Sequence, residues 1–274
     1  MADGSVILTE IAGKVLTRVW PDGRQEVAAE VGGGPTGAAV GPDGALYVTN
    51  NGGPVVGGVA PGGRIQRVDL ASGRIETVYE ACDGRRLNRP NDLVFDRQGG
   101  MWFTDVGVDT GESRLYGGLY YARADGSLIS RQRDKMISPN GVGLSPEQDV
   151  LYVADTYAGR LWAFDIAEPG VLRPPVSRFE PGRVVANLQN PDYLDSLAVE
   201  AGGKVCVGTL RNGGISVFNP QDGSIEHVPL PDALVTNICF GGPDMRDAWI
   251  TGSEAGVLFR CRWPRRGLKL AFGA

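Results

Sequence analysis

The residues best suited to chemistry in this sequence are asparagines and aspartates that open short apolar runs. Asn91 in RPNDLVFD (89–96), Asn140 in SPNGVGLS (138–145) and Asp195 in YLDSLAVE (193–200) each hold the third position of an eight-residue window. Thr36 in GPTGAAVG (34–41) and Thr236 in LVTNICFG (234–241) hold the same place. An Asn or Asp ahead of a strand commonly bonds its own backbone as a turn residue. Five oxygen-bearing side chains in register support another reading, because converging carboxylate and amide oxygens are what a hard divalent cation binds. One Asp with two Asn would make a low-charge site open to water or substrate. Thr36 and Thr236 by themselves read as structural.

Other chemistries fit less well. The sequence has one histidine, His227 in SIEHVPLPD, and no G-x-S-x-G elbow, which argues against a Ser-His or Cys-His triad and a His-rich zinc site. His227 follows a third strand and reads as a surface residue on an outer rim. The four cysteines, Cys82, Cys206, Cys239 and Cys261, form no Cys-x-x-Cys, and two of them, in VCVG and NICF, read as buried thiols. The glycine-rich NGGPVVGGVAPGG (51–63) has no Gly-Lys-Ser/Thr and no strand-loop-helix context, so it reads as a surface hairpin loop.

The elements that must position these residues repeat. The third window positions lie 55, 49, 55 and 41 residues apart. Each window is followed by a second strand (ALYVTN, MWFTDV, VLYVAD, KVCVGT, DAWITG) and then by a third that opens on glycine, as in GRLWAFDI and GVLFRCRW. Turn signals such as PDGA, RQGG and ADGS separate them. A period near fifty residues of short Tyr-, Trp- and Val-rich strands predicts an all-β, six-bladed β-propeller in which the window strands line the channel. SVILTE (5–10) and GKVLTRVWPDG (13–23) match second and third strands, so the first blade is expected to be incomplete, with its inner strand before residue 1. Residues 1–274 read as one domain.

The chain has 274 residues, 41 glycines, 18 prolines and a formal charge of −5. That charge gives no general attraction for nucleic acid or anionic membrane. The basic RCRWPRRGLK reads as a solvated edge strand and tail. No apolar run approaches a membrane span and no leader opens the chain, so a cytoplasmic protein is expected.

RPNDLVFDRQGGMWFTD, SPNGVGLSPEQDVLYVADT, LDSLAVEAGGKVCVG and TNICFGGPDMRDAWIT, in this order, resemble the gluconolactonase/regucalcin family, also called the senescence-marker-protein or luciferin-regenerating-enzyme family. The resemblance implies a six-bladed propeller that binds one divalent metal ion (Ca, Zn, Mn or Fe) and hydrolyses a small sugar or related lactone. It places Asn140 and Asp195 as metal ligands, Asn91 against substrate or a coordinated water, and Arg89 against substrate hydroxyls. Asp195 would also take the proton of the attacking water. The family's third ligand, a Glu in a Glu-Gly-Pro segment, would lie just before residue 1, and Glu10 aligns with a second strand instead. Tyr157 and Asp105 end second strands and could line the pocket, although Asp105 could equally bond the backbone. The partner implied is a small-molecule lactone, and the state a monomer or small homo-oligomer. The alternative is a non-enzymatic binding or scaffold propeller.

Overall fold

The computed structural model describes residues 1, 3–175, 177, 179–188 and 192–273. They form short antiparallel strands and, among the described residues, no helix. Six sheets follow one another along the chain as consecutive meanders, the arrangement of a six-bladed β-propeller. They fall into two compact units, Met1–Met136 with Leu270–Ala274, and Ile137–Lys269.

In the first unit, blade one contains Val6–Glu10, Val15–Val19 and Gln25–Glu30. Blade two runs Pro35–Val40, Leu46–Asn50, Arg64–Asp69 and Arg74–Tyr79. Blade three runs Pro90–Phe95, Gly100–Asp105, Gly117–Arg123 and Ile129–Met136. Val6–Glu10 stands in a second-strand position. Thr9 Oγ1 donates to the Thr36 carbonyl at 2.8 Å, and Thr49, on the second strand of blade two, donates to the Asn91 carbonyl at 2.6 Å. The same contact recurs one blade on. Aromatic and aliphatic side chains at alternate positions fill the space between blades two and three. Tyr47 meets Phe95 edge-on at 5.2 Å, and Phe103 stacks on Tyr120 at 5.0 Å. Phe272, from the terminal segment, closes the cluster against Phe95.

In the second unit, blade four contains Pro139–Leu144, Val150–Asp155, Arg160–Glu168 and Arg183–Asn187. Blade five contains Tyr193–Val199, Val205–Leu210, Gly214–Phe218 and Ile225–Pro229. Blade six contains Val235–Gly241, Asp247–Gly252 and Val257–Arg262. The expected windows are thus the first strand of each of blades two to six, and the 51–63 stretch is a hairpin loop closed by a Val56–Val59 bridge.

Three local expectations change. Cys206 is buried as expected, but Cys239 is exposed; all four cysteines are free thiols. The basic C-terminal stretch is not simply solvated. Arg262 pairs with Asp244 and Asp247, and Arg265 with the buried Glu200, whose carboxylate also accepts Trp263 Nε1–H at 2.7 Å. His227 does lie on an outer strand, yet it is half-buried, with Nδ1 at 3.2 Å from Ser216 Oγ and Nε2 at 3.1 Å from the Gly213 carbonyl. Ser216 is itself buried, so this pair is packing rather than an accessible nucleophile. Among the described residues, no helix is long and apolar enough to cross a membrane.

Candidate functional site

All five windows share a backbone feature. The pairing of each inner strand with its second strand slips between Pro35 and Gly37, Pro90 and Leu93, Pro139 and Val142, Leu194 and Leu197, and Val235 and Asn237. Thr36, Asn91, Asn140, Asp195 and Thr236 all fall in these slips. A bulge bends the strand and re-aims its side chains, which is how a short polar residue can open a strand that is otherwise core.

The residue after each window position shows why small or polar types follow. A Cβ on Gly37 would lie 2.8 Å from the Asn91 carbonyl oxygen, and one on Gly141 2.7 Å from that of Asp195. Asp92 and Asn237 instead turn their Oδ1 back onto the next backbone N–H, of Leu93 and Ile238, both at 2.8 Å. The Asn-Asp opening of Pro90–Phe95 therefore has one residue, Asp92, satisfying the bulge and one, Asn91, re-aimed by it.

In the first unit, Arg89 and Asn91 are half-buried. The Asp105 carboxylate accepts the backbone N–H groups of Asn88 at 2.7 Å, Arg89 at 3.0 Å and Gly107 at 2.9 Å. Burial raises the Asp105 pKa, and those three donors oppose the rise. Asp105 thus ties the loop before Asn91 to the end of the second strand, and the backbone-bonding reading holds. Arg89 Nη1 donates to the Gly53 carbonyl at 3.0 Å, joining it to the 51–63 loop. Thr36 Oγ1 is committed to the Thr49 and Pro90 carbonyls, at 3.1 and 3.0 Å.

In the second unit, Asn140 is buried and donates Nδ2 to Thr156 Oγ1 at 3.1 Å, and its Oδ1 is buried as well. Asp195 is half-buried on the adjacent inner strand. Asp155, equivalent to Asp105, accepts the Ser138 N–H at 3.0 Å, and burial raises its pKa too. Thr236 Oγ1 lies 2.7 Å from Thr251 Oγ1, a structural partner. Tyr157 is exposed and meets Tyr193 edge-on at 5.7 Å, and the Arg211 guanidinium sits 6.0 Å from the Tyr193 ring.

Asn140 and Asp195 thus occupy neighbouring strands of one unit, and Arg89 and Asn91 share one loop end in the other. Counting only third positions missed Tyr193, which opens the Asp195 window, and Thr156, which fixes the Asn140 amide. Arg211 carries no sequence signal of its own. Glu10 is exposed and accepts the Thr17 hydroxyl.

The model of the SMP-30/gluconolactonase/LRE-like region matches residues 1–254. A gluconolactonase of Zymomonas mobilis is 27% identical over 225 residues, 76% of this chain and 58% of that protein. The chain spans less than two-thirds of the length of the curated relatives it matches. Among solved structures, a gluconolactonase from Xanthomonas campestris superposes with a TM-score of 0.78 at 25% identity, covering 96% of this chain and 83% of that one. A calcium-binding regucalcin from Agrobacterium tumefaciens gives a TM-score of 0.76 at 18% identity, over 97% and 88%, a likeness of fold. The match over residues 1–254 is decisive: the chain belongs to the SMP-30/gluconolactonase/LRE-like family.

Proposed function

We propose that this protein hydrolyses a small lactone in the propeller's central channel, with Asn140 and Asp195 holding a divalent cation and Asn91 and Arg89 orienting the substrate. The observation that carries the reading is the bulge shared by all five inner strands. It falls at one oxygen-bearing residue in each of blades two to six, Asn91, Asn140 and Asp195 among them, in a family whose relatives include gluconolactonases and lactonases.

The donors fit part of a hard cation's shell. They are a buried amide oxygen on Asn140 and a carboxylate on the next strand, Asp195, both of the oxygen type that Ca, Mn and similar ions accept. Among the described residues, no group of three or more His, Cys, Asp or Glu could hold a metal ion, so water and substrate oxygens would complete the shell. When bound, the cation would polarise the lactone carbonyl and make a water more acidic. Asp195 has a second carboxylate oxygen with which to accept the attacking water's proton. Thr156 fixes the orientation of the Asn140 amide. Asn91 and Arg89 would position the ring by hydrogen bonds, from a loop end that Asp105 holds in place.

The test is proton release from a lactone panel in weak buffer, with protein supplied in turn with Ca, Mn, Zn or Fe(II) and then with a chelator. Opening above the buffer rate with at least one cation, and loss on chelation, is expected. No opening of any lactone under any cation would defeat the reading and favour a binding propeller.

A further inference from the structure

Two neighbouring loops of the first unit, beside Arg89 and Asn91, expose apolar side chains. The 51–63 segment carries no charged side chain, and its only polar one is Asn51. It leaves the second strand of blade two at Asn50, opposite Pro35, at the end where Thr36 lies. The next blade repeats the plan, since residues after Asp105, opposite Pro90, form the Val108–Asp109/Arg114–Leu115 hairpin. The two loops meet at their tips, where a Cβ on Gly58 would lie 3.8 Å from Thr110.

Both loops have ordered frames. Val56 and Val59 exchange backbone hydrogen bonds at 3.1 and 3.0 Å, and Arg114 pairs with Asp109 at 2.9 Å. Yet Val56 is 72% exposed, Val59 70%, Leu115 56% and Tyr116 57%. Single exposed apolar residues are ordinary, but four on two loops that touch at their tips offer apolar area to a ligand. Continuity with the candidate site is explicit, because the Arg89 guanidinium donates to the Gly53 carbonyl at the base of the loop. Arg89 thus holds the 51–63 loop in place with one of its N–H donors.

From this we infer that the exposed Val56, Val59, Leu115 and Tyr116 of the two hairpins form an apolar wall of the substrate site and that the enzyme prefers lactones bearing an alkyl or aryl substituent to polyhydroxylated sugar lactones. The inference rests on the hydrolytic reading above and adds the substrate class to it. Val56, Val59, Leu115 and Tyr116 set specificity, and Arg89 is a positioning residue for the wall as well as a candidate contact for the ring.

The experiment compares kcat/KM for an alkyl-substituted γ-lactone, γ-nonalactone, with that for glucono-δ-lactone, in the wild type and in a Val56→Ser, Val59→Ser double variant. Both valines are exposed, so the variant should melt at the wild-type temperature. The wild type should favour γ-nonalactone by at least about tenfold. The double variant should lose about tenfold or more on it and much less on glucono-δ-lactone, shifting the ratio of the two, since each desolvated methylene is worth several-fold. A wild type that prefers glucono-δ-lactone, or a variant that handles both substrates as the wild type does, overturns this inference and leaves the hydrolytic reading standing. A variant with unchanged rates but altered sedimentation would make the patch a self-association surface, which overturns it equally. Failure to open any lactone defeats both.

Discussion

Asp105 and Asp232 each gather three backbone N–H groups at the end where the loops leave the sheets, and they should answer pH in opposite ways. Burial dominates at Asp105 and raises its pKa; the folded state then holds its proton more tightly than the unfolded chain does. That contribution to stability is fully present below about pH 3.8 and is lost as pH rises through the folded value. Burial also acts on Asp232, but the N–H groups of Ala255, Leu234 and Glu254 outweigh it and lower its pKa. Its contribution is present above the unfolded value and lost as pH falls through the folded one. Asp105→Ala should cost about 3 kcal/mol at neutral pH by orphaning buried donors. In urea unfolding its deficit against the wild type should be larger near pH 3 than near pH 7, while that of Asp232→Ala should be smaller. Equal deficits at the two pH values would contradict both assignments.

The strand is the scale at which reading the sequence succeeded and then stopped. Asn91, Asn140 and Asp195 were legible because an internal repeat puts them in register. Their periodicity also gave the inner, second and third strands of blades two to six. The bulges were not legible, since a slip of one residue in pairing leaves no trace in composition. Only the run of small or self-bonding residues after each window position, Gly37, Asp92, Gly141, Ser196 and Asn237, hints at it in retrospect. Cys239 was misplaced for the same reason, an apolar run not revealing which side of a bulged strand meets a core. The bulge account makes Gly141 critical. A Cβ there would lie 2.7 Å from both the Asp195 carbonyl and the Leu197 N–H nitrogen, backbone atoms that cannot rotate away. Gly141→Ala should therefore displace the Asp195 strand, costing roughly 1–3 kcal/mol of stability in a melt and most of the rate of the proposed lactone opening. A variant with unaltered melting and rate would show that this packing is not tight.

At the scale of the whole molecule, each unit carries its own cores, and the aromatic contacts between blades two and three are the largest in the first. Phe103 is fully buried and stacked on Tyr120, so Phe103→Ala should cost about 3–5 kcal/mol and lower the melting temperature by roughly 10 °C. A shift within experimental scatter would place that core elsewhere. Blade number and order were legible from the repeat. The exposed apolar side chains of the two hairpins were not, because turn residues do not say which side chains are left uncovered. The proposed hydrolysis rests on Asp195, the carboxylate proposed both to ligate the cation and to accept a proton. The most direct test is the lactone-opening rate of Asp195→Ala at saturating cation, with its melting temperature as the folding control. Loss of at least about a hundredfold in rate at an unchanged melting temperature is expected. An Asp195→Ala protein that keeps the wild-type rate would contradict it.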